Sequence, residues 1–262
     1  MNPQAKANPI LSAAAATQLW RRYGFTTIEN LVLEDLAMAL GVVVLDGELK
    51  AADAWLVRKK SSGIIRVSRS IPEPGRRRFA IAHELGHWQL HRVMSQLVSC
   101  TNADMVSRYK ASAPELEANA FAAELIMPRH LFEPAMSQSR PTAQFVNHLA
   151  DLFGTTRTSV AYRIADLSTD YFALVMSKDG VITWWQASDP LRELIWIDAG
   201  EDVPYDSVAA QVFNGEPLSG VPEKVDAESW FSQNRGLKES YVYEDVIPMP
   251  TYGQVLSLIW LE

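Results

Sequence analysis

The sequence predicts an α+β fold in which a small sheet and several helices precede a strand-rich C-terminal module. Short apolar runs at residues 42–45, 54–57 and 63–67 indicate three strands, the last two joined by a polar turn. Residues 78–93 follow with the apolar spacing of a buried amphipathic helix. Strand signals return after about residue 170. These observations favour an α+β fold that ends in a separate strand-rich module.

Further helices are predicted on both sides of this core. Helical spacing is found in four segments: residues 12–23, 28–40, 142–153 and 157–167. Gly41 is well placed to stop the second of them. Pro114 suits the first turn of another helix, which Pro128 ends. We therefore expect helices to dominate the chain between residues 114 and 169.

The C-terminal region is predicted to be a separate module of strands. The turn Lys178-Asp179-Gly180 between two apolar runs is a hairpin signal, and the runs 242–247 and 255–261 flank a second turn. Its tryptophans are interpreted as core residues rather than a ligand cage. We predict three parts, with boundaries at residues 1–135, 136–169 and 170–262, of which the second is helical and the third is rich in strands.

Composition and charge narrow the classes of function. The chain has 262 residues and a net charge of −7, which disfavours non-specific nucleic-acid binding. A local basic stretch runs from Arg58 to Arg78, and we interpret it as a solvated strand pair and loop rather than a binding surface. The single cysteine, Cys100, fits a reducing compartment. With no signal sequence or apolar stretch of membrane length, the protein is expected to be cytoplasmic.

The strongest chemical signal is the run His83-Glu84-Leu85-Gly86-His87 within the predicted helix 78–93. Histidines four residues apart project from one helix face and can share a metal ion. Neutral imidazole is a typical ligand of zinc, so zinc is the ion that this pair favours. Glu84 lies one position round the helix, where it can act on a water molecule as a general base. Gly86 indicates close packing against another element. His91 is predicted to support the site by hydrogen bonding, with a direct ligand role as the alternative.

A catalytic zinc site needs a third protein ligand, and the helix after Pro114 is its best source. Glu115 and Asn119 share one face of that helix, together with small residues that would allow close packing. We therefore favour Glu115 as the third ligand over Glu117, which is expected to be a solvated carboxylate. Asn119, one turn on, would hydrogen-bond to a ligand.

These two motifs resemble those of the ImmA/IrrE metallopeptidases, through the segments RFAIAHELGH (residues 78–87) and ELEANAFAAELIMP (residues 115–128). The resemblance covers roughly residues 10–135. It implies a gluzincin-like peptidase core with His83, His87 and Glu115 as zinc ligands and Glu84 as the catalytic base. It also implies a substrate, a helix-turn-helix repressor that is cut to switch on a stress or mobile-element operon.

The later segments fit the same family. Residues 149–163 indicate two helices around Gly154, a helix-turn-helix-like pattern with few basic residues, so a structural or protein-docking use is favoured over DNA contact. Members of the IrrE type end in a GAF-like sensor domain, and residues 170–262 have comparable length. This comparison implies an α/β module that senses a signal.

The predicted activity is zinc-dependent endoproteolysis, with another divalent ion such as Mn²⁺ as an alternative cofactor. An extended substrate is expected to add to the strand at residues 63–67. Tyr109 and His130 are candidates, by residue type only, for stabilising the oxyanion. A small-molecule or nucleic-acid activator would be a further partner, and no membrane association is expected. The rival hypothesis is a DNA-binding or repressor-binding regulator whose zinc is structural.

Overall fold

The computed structural model describes residues 7–49, 52–91, 98–100 and 112–261. Within them the chain is a mixture of helices and antiparallel or mixed sheets, which confirms the predicted α+β class. Two compact units are present, one formed by Met1–Phe132 with Ala150–Thr156 and the other by Glu133–Leu149 with Arg157–Glu262. None of the helices in the described ranges has the length and apolarity needed to cross a membrane.

The described part of the first unit combines one sheet with four principal helices. Its elements are α1 (Pro9–Tyr23), α2 (Leu33–Ala39), β1 (Val42–Gly47), β2 (Ala54–Lys59), β3 (Ser62–Ser68), α3 (Pro74–Leu90), β4 (Val98–Cys100) and α4 (Ala113–Ile126). The sheet order is β1-β3-β2-β4, with β1 parallel to β3 and the other neighbours antiparallel. The three predicted strands and the helix after Pro114 are thus confirmed.

The sheet order corrects the expected substrate position. β3 pairs with β1 along one side and with β2 along the other. Its backbone hydrogen-bonding groups are therefore used within the sheet, so an extended peptide cannot add to residues 63–67. Among the described strands, β1 and β4 lie at the edges.

Two helices differ in extent from the prediction. The segment predicted as one helix at residues 28–40 divides into a 3-10 turn at Ile28–Asn30 and the helix α2, because the chain leaves helical geometry at Leu31 and buries that side chain. α3 begins at Pro74, four residues earlier than expected, with the proline in its first turn. Gly75 follows, and a Cβ atom there would lie 2.5 Å from the backbone carbon of Thr155. This close approach is the reason for glycine at the start of the helix.

α3 lies in the centre of the first unit, where it contacts β2, β3 and α4. Ile81, Leu85 and Phe121 are at most 1% exposed, and burying each side chain of this kind contributes about 1.5–3 kcal/mol. A Cβ atom at Gly86 would lie 3.1 Å from Ala118 Cα, so the two helix backbones meet there. The predicted close packing at Gly86 is confirmed, and it brings the histidine helix against α4.

The basic stretch is used mainly within the first unit. Arg76 makes a two-point ion pair with Asp53 at 2.7 Å for both contacts. Arg77 pairs with Glu34 and Asp46. The Arg58 guanidinium stacks 3.8 Å from the Trp88 ring centroid. These contacts support the structural interpretation of the stretch over a binding surface.

Three helices lie between the first sheet and the second along the chain: α5 (Arg129–Met136), α6 (Ala143–Phe153) and α7 (Arg157–Leu167). Both helices predicted at residues 142–153 and 157–167 are confirmed. Gly154 has a positive φ of 58°, a backbone conformation that glycine adopts without steric cost, in the turn between α6 and α7. Whether this helix-turn-helix-like pair contacts DNA stays a prediction.

The second unit contains a five-stranded antiparallel sheet with the order β6-β5-β11-β10-β8. Its elements after α7 are β5 (Phe172–Lys178), β6 (Val181–Ala187), α8 (Asp189–Arg192), β7 (Ile195–Trp196), α9 (Val208–Phe213), β8 (Glu223–Asp226), α10 (Ala227–Trp230), β9 (Gln233–Asn234), β10 (Tyr241–Met249) and β11 (Gln254–Trp260). A 3-10 turn at Pro250–Tyr252 joins β10 to β11. The predicted hairpin is confirmed, with positive φ at Asp179 and Gly180 in its turn.

The tryptophans of the second unit divide between core and surface. Trp185, Trp230 and Trp260 are buried, as predicted, whereas Trp196 is 41% exposed and Trp184 is half-buried with its ring stacked on Tyr162. The core prediction therefore holds for three of the five.

Glu244 is a buried carboxylate within this second core. It accepts hydrogen bonds from the backbone N–H groups of Val208 and Ala209, from Trp230 Nε1 and from Ser257 Oγ, at 2.8–3.1 Å. Burial raises the pKa of Glu244, and the four donors act in the opposite direction. The carboxylate thus ties α9, α10 and β11 together through one side chain.

Candidate metal centre

The site begins with the histidine pair of α3. His83 and His87 lie one helical turn apart and are 0% and 1% exposed. Their rings meet at a centroid distance of 4.8 Å, and the two Nε2 atoms are 3.1 Å apart. The helix therefore aims the same nitrogen of both rings at one point, as its four-residue spacing predicts.

Glu115, in the first turn of α4, completes a triangle with the two histidines. Its Oε2 lies 3.1 Å from His83 Nε2, and its Oε1 lies 3.3 Å from His87 Nε2. One potential ligand atom of each residue lies within 4.8 Å of the others. The packing of α4 on Gly86 brings the carboxylate to this position. The convergence of the three predicted residues is thus observed.

The outer nitrogens of both histidines also have neighbours. His83 Nδ1 donates to Asn119 Oδ1 at 2.9 Å, because an amide oxygen can only accept. His87 Nδ1 lies 2.9 Å from His91 Nδ1, and His91 Nε2 donates to Glu117 Oε2 at 2.9 Å. A neutral His91 that donates from Nε2 must accept at Nδ1, so His87 Nδ1 carries its proton. When both histidines of the pair are neutral, each presents an unprotonated Nε2 inward, whereas a protonated His83 donates from Nε2 to Glu115.

This proton assignment tests whether the site fits a metal. When both imidazoles are neutral, two unprotonated nitrogens and a carboxylate oxygen face one another at 3.1–3.3 Å, and such buried electron-pair donors repel unless a proton or a metal ion lies between them. Tetrahedral ligands about 2.0–2.1 Å from a zinc ion are separated by about 3.3 Å. The donor set and its spacing therefore fit a divalent metal ion.

The titration behaviour of the three groups follows from the same contacts. Burial by itself would raise the pKa of Glu115, but hydrogen bonds to His83 and His87 hold it well below its ordinary value. Burial lowers the pKa of His87. Burial also acts to lower the pKa of His83, but the hydrogen bond with Glu115 and the nearby charge of Glu84 raise it overall. Opposite shifts in adjacent imidazoles mean that the pair retains one proton more readily than two.

The remaining predicted residues are distributed as follows. Glu84 is fully buried beside His83, close enough for its charge to affect that imidazole. Asn119 and His91 contact the outer nitrogens of the pair, as expected. His130 is exposed, with its ring edge-on against Trp20 at 5.4 Å, while Tyr109 lies outside the described residues.

Glu117 is the residue whose environment differs most from the prediction. The sequence predicts a solvated carboxylate, but the side chain is only 23% exposed and bonds to His91 and to the backbone N–H of Asn8. Helical periodicity could not reveal this, because the partners come from the end of α3 and from the start of α1. Only the crossing of the helices brings them together.

Comparisons with known proteins bear on the family and the fold of the chain. The family model Peptidase_M78, described as the IrrE N-terminal-like domain, matches residues 37–165. A solved structure named as a Mycobacterium tuberculosis transcriptional regulator aligns with a TM-score of 0.63 and 16% sequence identity, covering 96% of this chain and 76% of that one. At this identity the likeness concerns the fold. A search of curated protein sequences returned no match. The match over residues 37–165 confirms the resemblance to this family that was stated from the sequence.

Proposed function

We propose that the chain is a zinc-dependent endopeptidase that cleaves a helix-turn-helix transcriptional repressor and thereby derepresses a stress or mobile-element operon. The observation that carries the proposal is the convergence of three electron-pair donors, from His83, His87 and Glu115, in a buried site beside Glu84. The match to a metallopeptidase family supports the same reaction class. A protein of similar fold is named as a transcriptional regulator, which is compatible with a peptidase that acts on a repressor.

His83, His87 and Glu115 would hold the metal, as two imidazoles and a carboxylate hold zinc in catalytic sites that leave one position open. Zn²⁺ is the proposed ion, with Mn²⁺ as the alternative. When bound, such an ion polarises a carbonyl group and increases the acidity of water. Asn119 would hold the His83 ring through its Nδ1 proton and so keep Nε2 directed inward.

Glu84 would act as the general base and then the general acid. It follows His83 directly in α3 and is buried, which places a carboxylate beside the reacting groups in a position of low solvent exposure. It would accept a proton from the attacking water and pass it to the nitrogen of the leaving amine. Since β3 is paired on both sides, an extended substrate would pair with an edge strand of the first sheet, β1 or β4.

The later parts of the chain would supply regulation. We propose residues 1–135 as a gluzincin-like peptidase region, 136–169 as a helix-turn-helix-like segment used for protein docking, and 170–262 as a GAF-like sensor of a small-molecule or nucleic-acid activator. The antiparallel five-stranded sheet, with α9 and α10 packed on it, supports an α/β module of this kind. A panel of nucleotides and metabolites that never shifts the melting temperature of the full chain would contradict the sensor role.

The decisive experiment mixes the zinc-loaded protein with the helix-turn-helix repressor encoded nearest its gene and identifies fragments by mass spectrometry. We expect one internal cleavage that a chelator abolishes. Glu84→Gln should retain the metal and lose cleavage, because the amide cannot accept the proton. Full cleavage by that variant would refute the assigned base, and an intact repressor with the zinc-loaded wild type would refute the proposed substrate.

A second candidate is a regulator that binds a repressor or DNA around a structural zinc ion without proteolysis. It is favoured by the fold match over 96% of the chain to a protein named as a transcriptional regulator. Such a protein would shift an operator fragment in a gel assay with a steep dependence on salt. The wild type and the Glu84→Gln variant would then behave identically, since a structural site needs no base. Loss of repressor cleavage in Glu84→Gln separates the two functions.

A further inference from the structure

We infer that Glu117 is a positioning residue of the metal centre, which acts through His91 to fix the orientation and the proton position of His87. The inference rests on the proposed metal site, which it deepens. It concerns a residue that sequence reasoning assigns to solvent. Glu117 does not touch the ligand triangle itself, and its influence is carried by one imidazole.

The contacts form a continuous line of hydrogen bonds. The backbone N–H of Asn8 donates to Glu117 Oε1 at 2.8 Å, and His91 Nε2 donates to Glu117 Oε2 at 2.9 Å. His91 Nδ1 then lies 2.9 Å from His87 Nδ1. The line therefore joins the residue before α1 to the outer nitrogen of His87.

The direction of every hydrogen bond is set at the carboxylate end. An ionised carboxylate only accepts, so His91 must donate from Nε2. In neutral His91 the Nδ1 atom is then the acceptor, so His87 Nδ1 is the donor. The lone pair of His87 consequently lies on Nε2, which faces Glu115 at 3.3 Å. Reversing the proton positions along the line would place a proton on the inner nitrogen, where it would compete with a metal ion.

The low exposure of His91 and Glu117 favours a strong hydrogen bond between them. The His91 side chain is 9% exposed and that of Glu117 is 23% exposed, so water screens their hydrogen bond only partly. Hydrogen bonds to an ionised acceptor are roughly twice as strong as those between neutral groups. His83 is held differently, because its outer nitrogen donates to the neutral amide of Asn119. The two ligands of one helix thus have supports of unequal strength.

His91 itself is placed as a connector rather than a ligand. Both of its ring nitrogens are engaged, one with His87 and the other with Glu117. A direct ligand role would require one of these contacts to break. The alternative left open by the sequence is therefore disfavoured by the geometry.

The test measures the affinity of the full-length, metal-free protein for Zn²⁺ by competition with a chromophoric chelator. Glu117→Leu removes the acceptor, and we expect zinc affinity to fall about 10–100-fold, the usual effect of losing a partner of a metal-binding histidine. Glu117→Gln keeps an acceptor oxygen and should lose less. Glu124→Gln is the matched control, because Glu124 lies on the same helix but bonds to Thr17 and to the backbone of Arg129. That variant should bind zinc as the wild type does.

A double-mutant cycle separates positioning from general stability. His91→Phe keeps the aromatic volume and removes the connection, so adding Glu117→Leu to it should cause no further loss of zinc affinity. The d–d absorption of bound Co²⁺ should keep the wild-type band positions in His91→Phe, since His91 is not a ligand. The contact from Asn8 to Glu117 is lost in both backgrounds, so its structural cost cancels in the cycle.

The outcomes distinguish this inference from the proposed function. If the wild type binds neither Zn²⁺ nor Co²⁺, the metal centre and the inference both fail. If the wild type binds Zn²⁺ and Glu117→Leu binds it equally well, only the positioning role fails. Additive losses in the cycle, or a shifted Co²⁺ spectrum in His91→Phe, would also overturn the role assigned to Glu117.

Discussion

Gly86→Ala tests the packing on which the metal centre depends. Alanine is about 1 kcal/mol more favourable than glycine within a helix, so propensity alone predicts stabilisation. The new Cβ atom would, however, lie 3.1 Å from Ala118 Cα, 3.2 Å from Ala118 O and 3.2 Å from Phe121 Cδ1. Two of these atoms are backbone, so the crowding can be relieved only by moving α4.

Overpacking a tight core contact costs about 1–3 kcal/mol. This cost exceeds the gain of about 1 kcal/mol from helix propensity, except at the lowest end of the range of costs. We therefore expect Gly86→Ala to lower the free energy of unfolding of the metal-free protein by about 1 kcal/mol. Because α4 carries Glu115, its displacement should also weaken zinc binding. Urea unfolding followed by tryptophan fluorescence and zinc competition titration measure the two effects. A variant that is about 1 kcal/mol more stable with unchanged zinc affinity would refute the reasoning.

Three further predictions concern polar contacts. Asn119→Ala removes the acceptor at His83 Nδ1 and should reduce zinc affinity about 10–100-fold, whereas unchanged affinity in a competition titration would contradict that support. Zinc affinity should fall as pH decreases through the raised pKa of His83, because metal binding needs the neutral imidazole. In the metal-free protein, protonated His83 contributes stability that is present below the pKa of the unfolded chain and lost as pH rises through the pKa of the folded protein. Zinc titrations and unfolding measurements at several pH values check the two signs. Glu244→Gln should destabilise the second unit by about 1–3 kcal/mol, since an amide nitrogen would face donors such as Trp230 Nε1, and an unchanged melting temperature would disprove the four-donor account.

Much of the fold could be predicted because its signals are local. The strands β1, β2 and β3 and the hairpin at Asp179-Gly180 follow from apolar runs and turn residues. The division of residues 28–40 could not be predicted, since it depends on burying Leu31 against other elements. The order of strands could not be predicted from the sequence either. In the observed order β3 is an interior strand, so an extended substrate cannot pair with it.

The sequence by itself determined that His83 and His87 share one helix face, because the period of the α-helix places residues four apart in line. It also selected Glu115 by its position on a helix with small residues. Only the tertiary structure decided that these atoms meet at 3.1–3.3 Å and that Glu117 is joined to them through His91. The reason is physical: helical period acts along one segment, whereas the contact between α3 and α4 depends on how closely two backbones approach at Gly86.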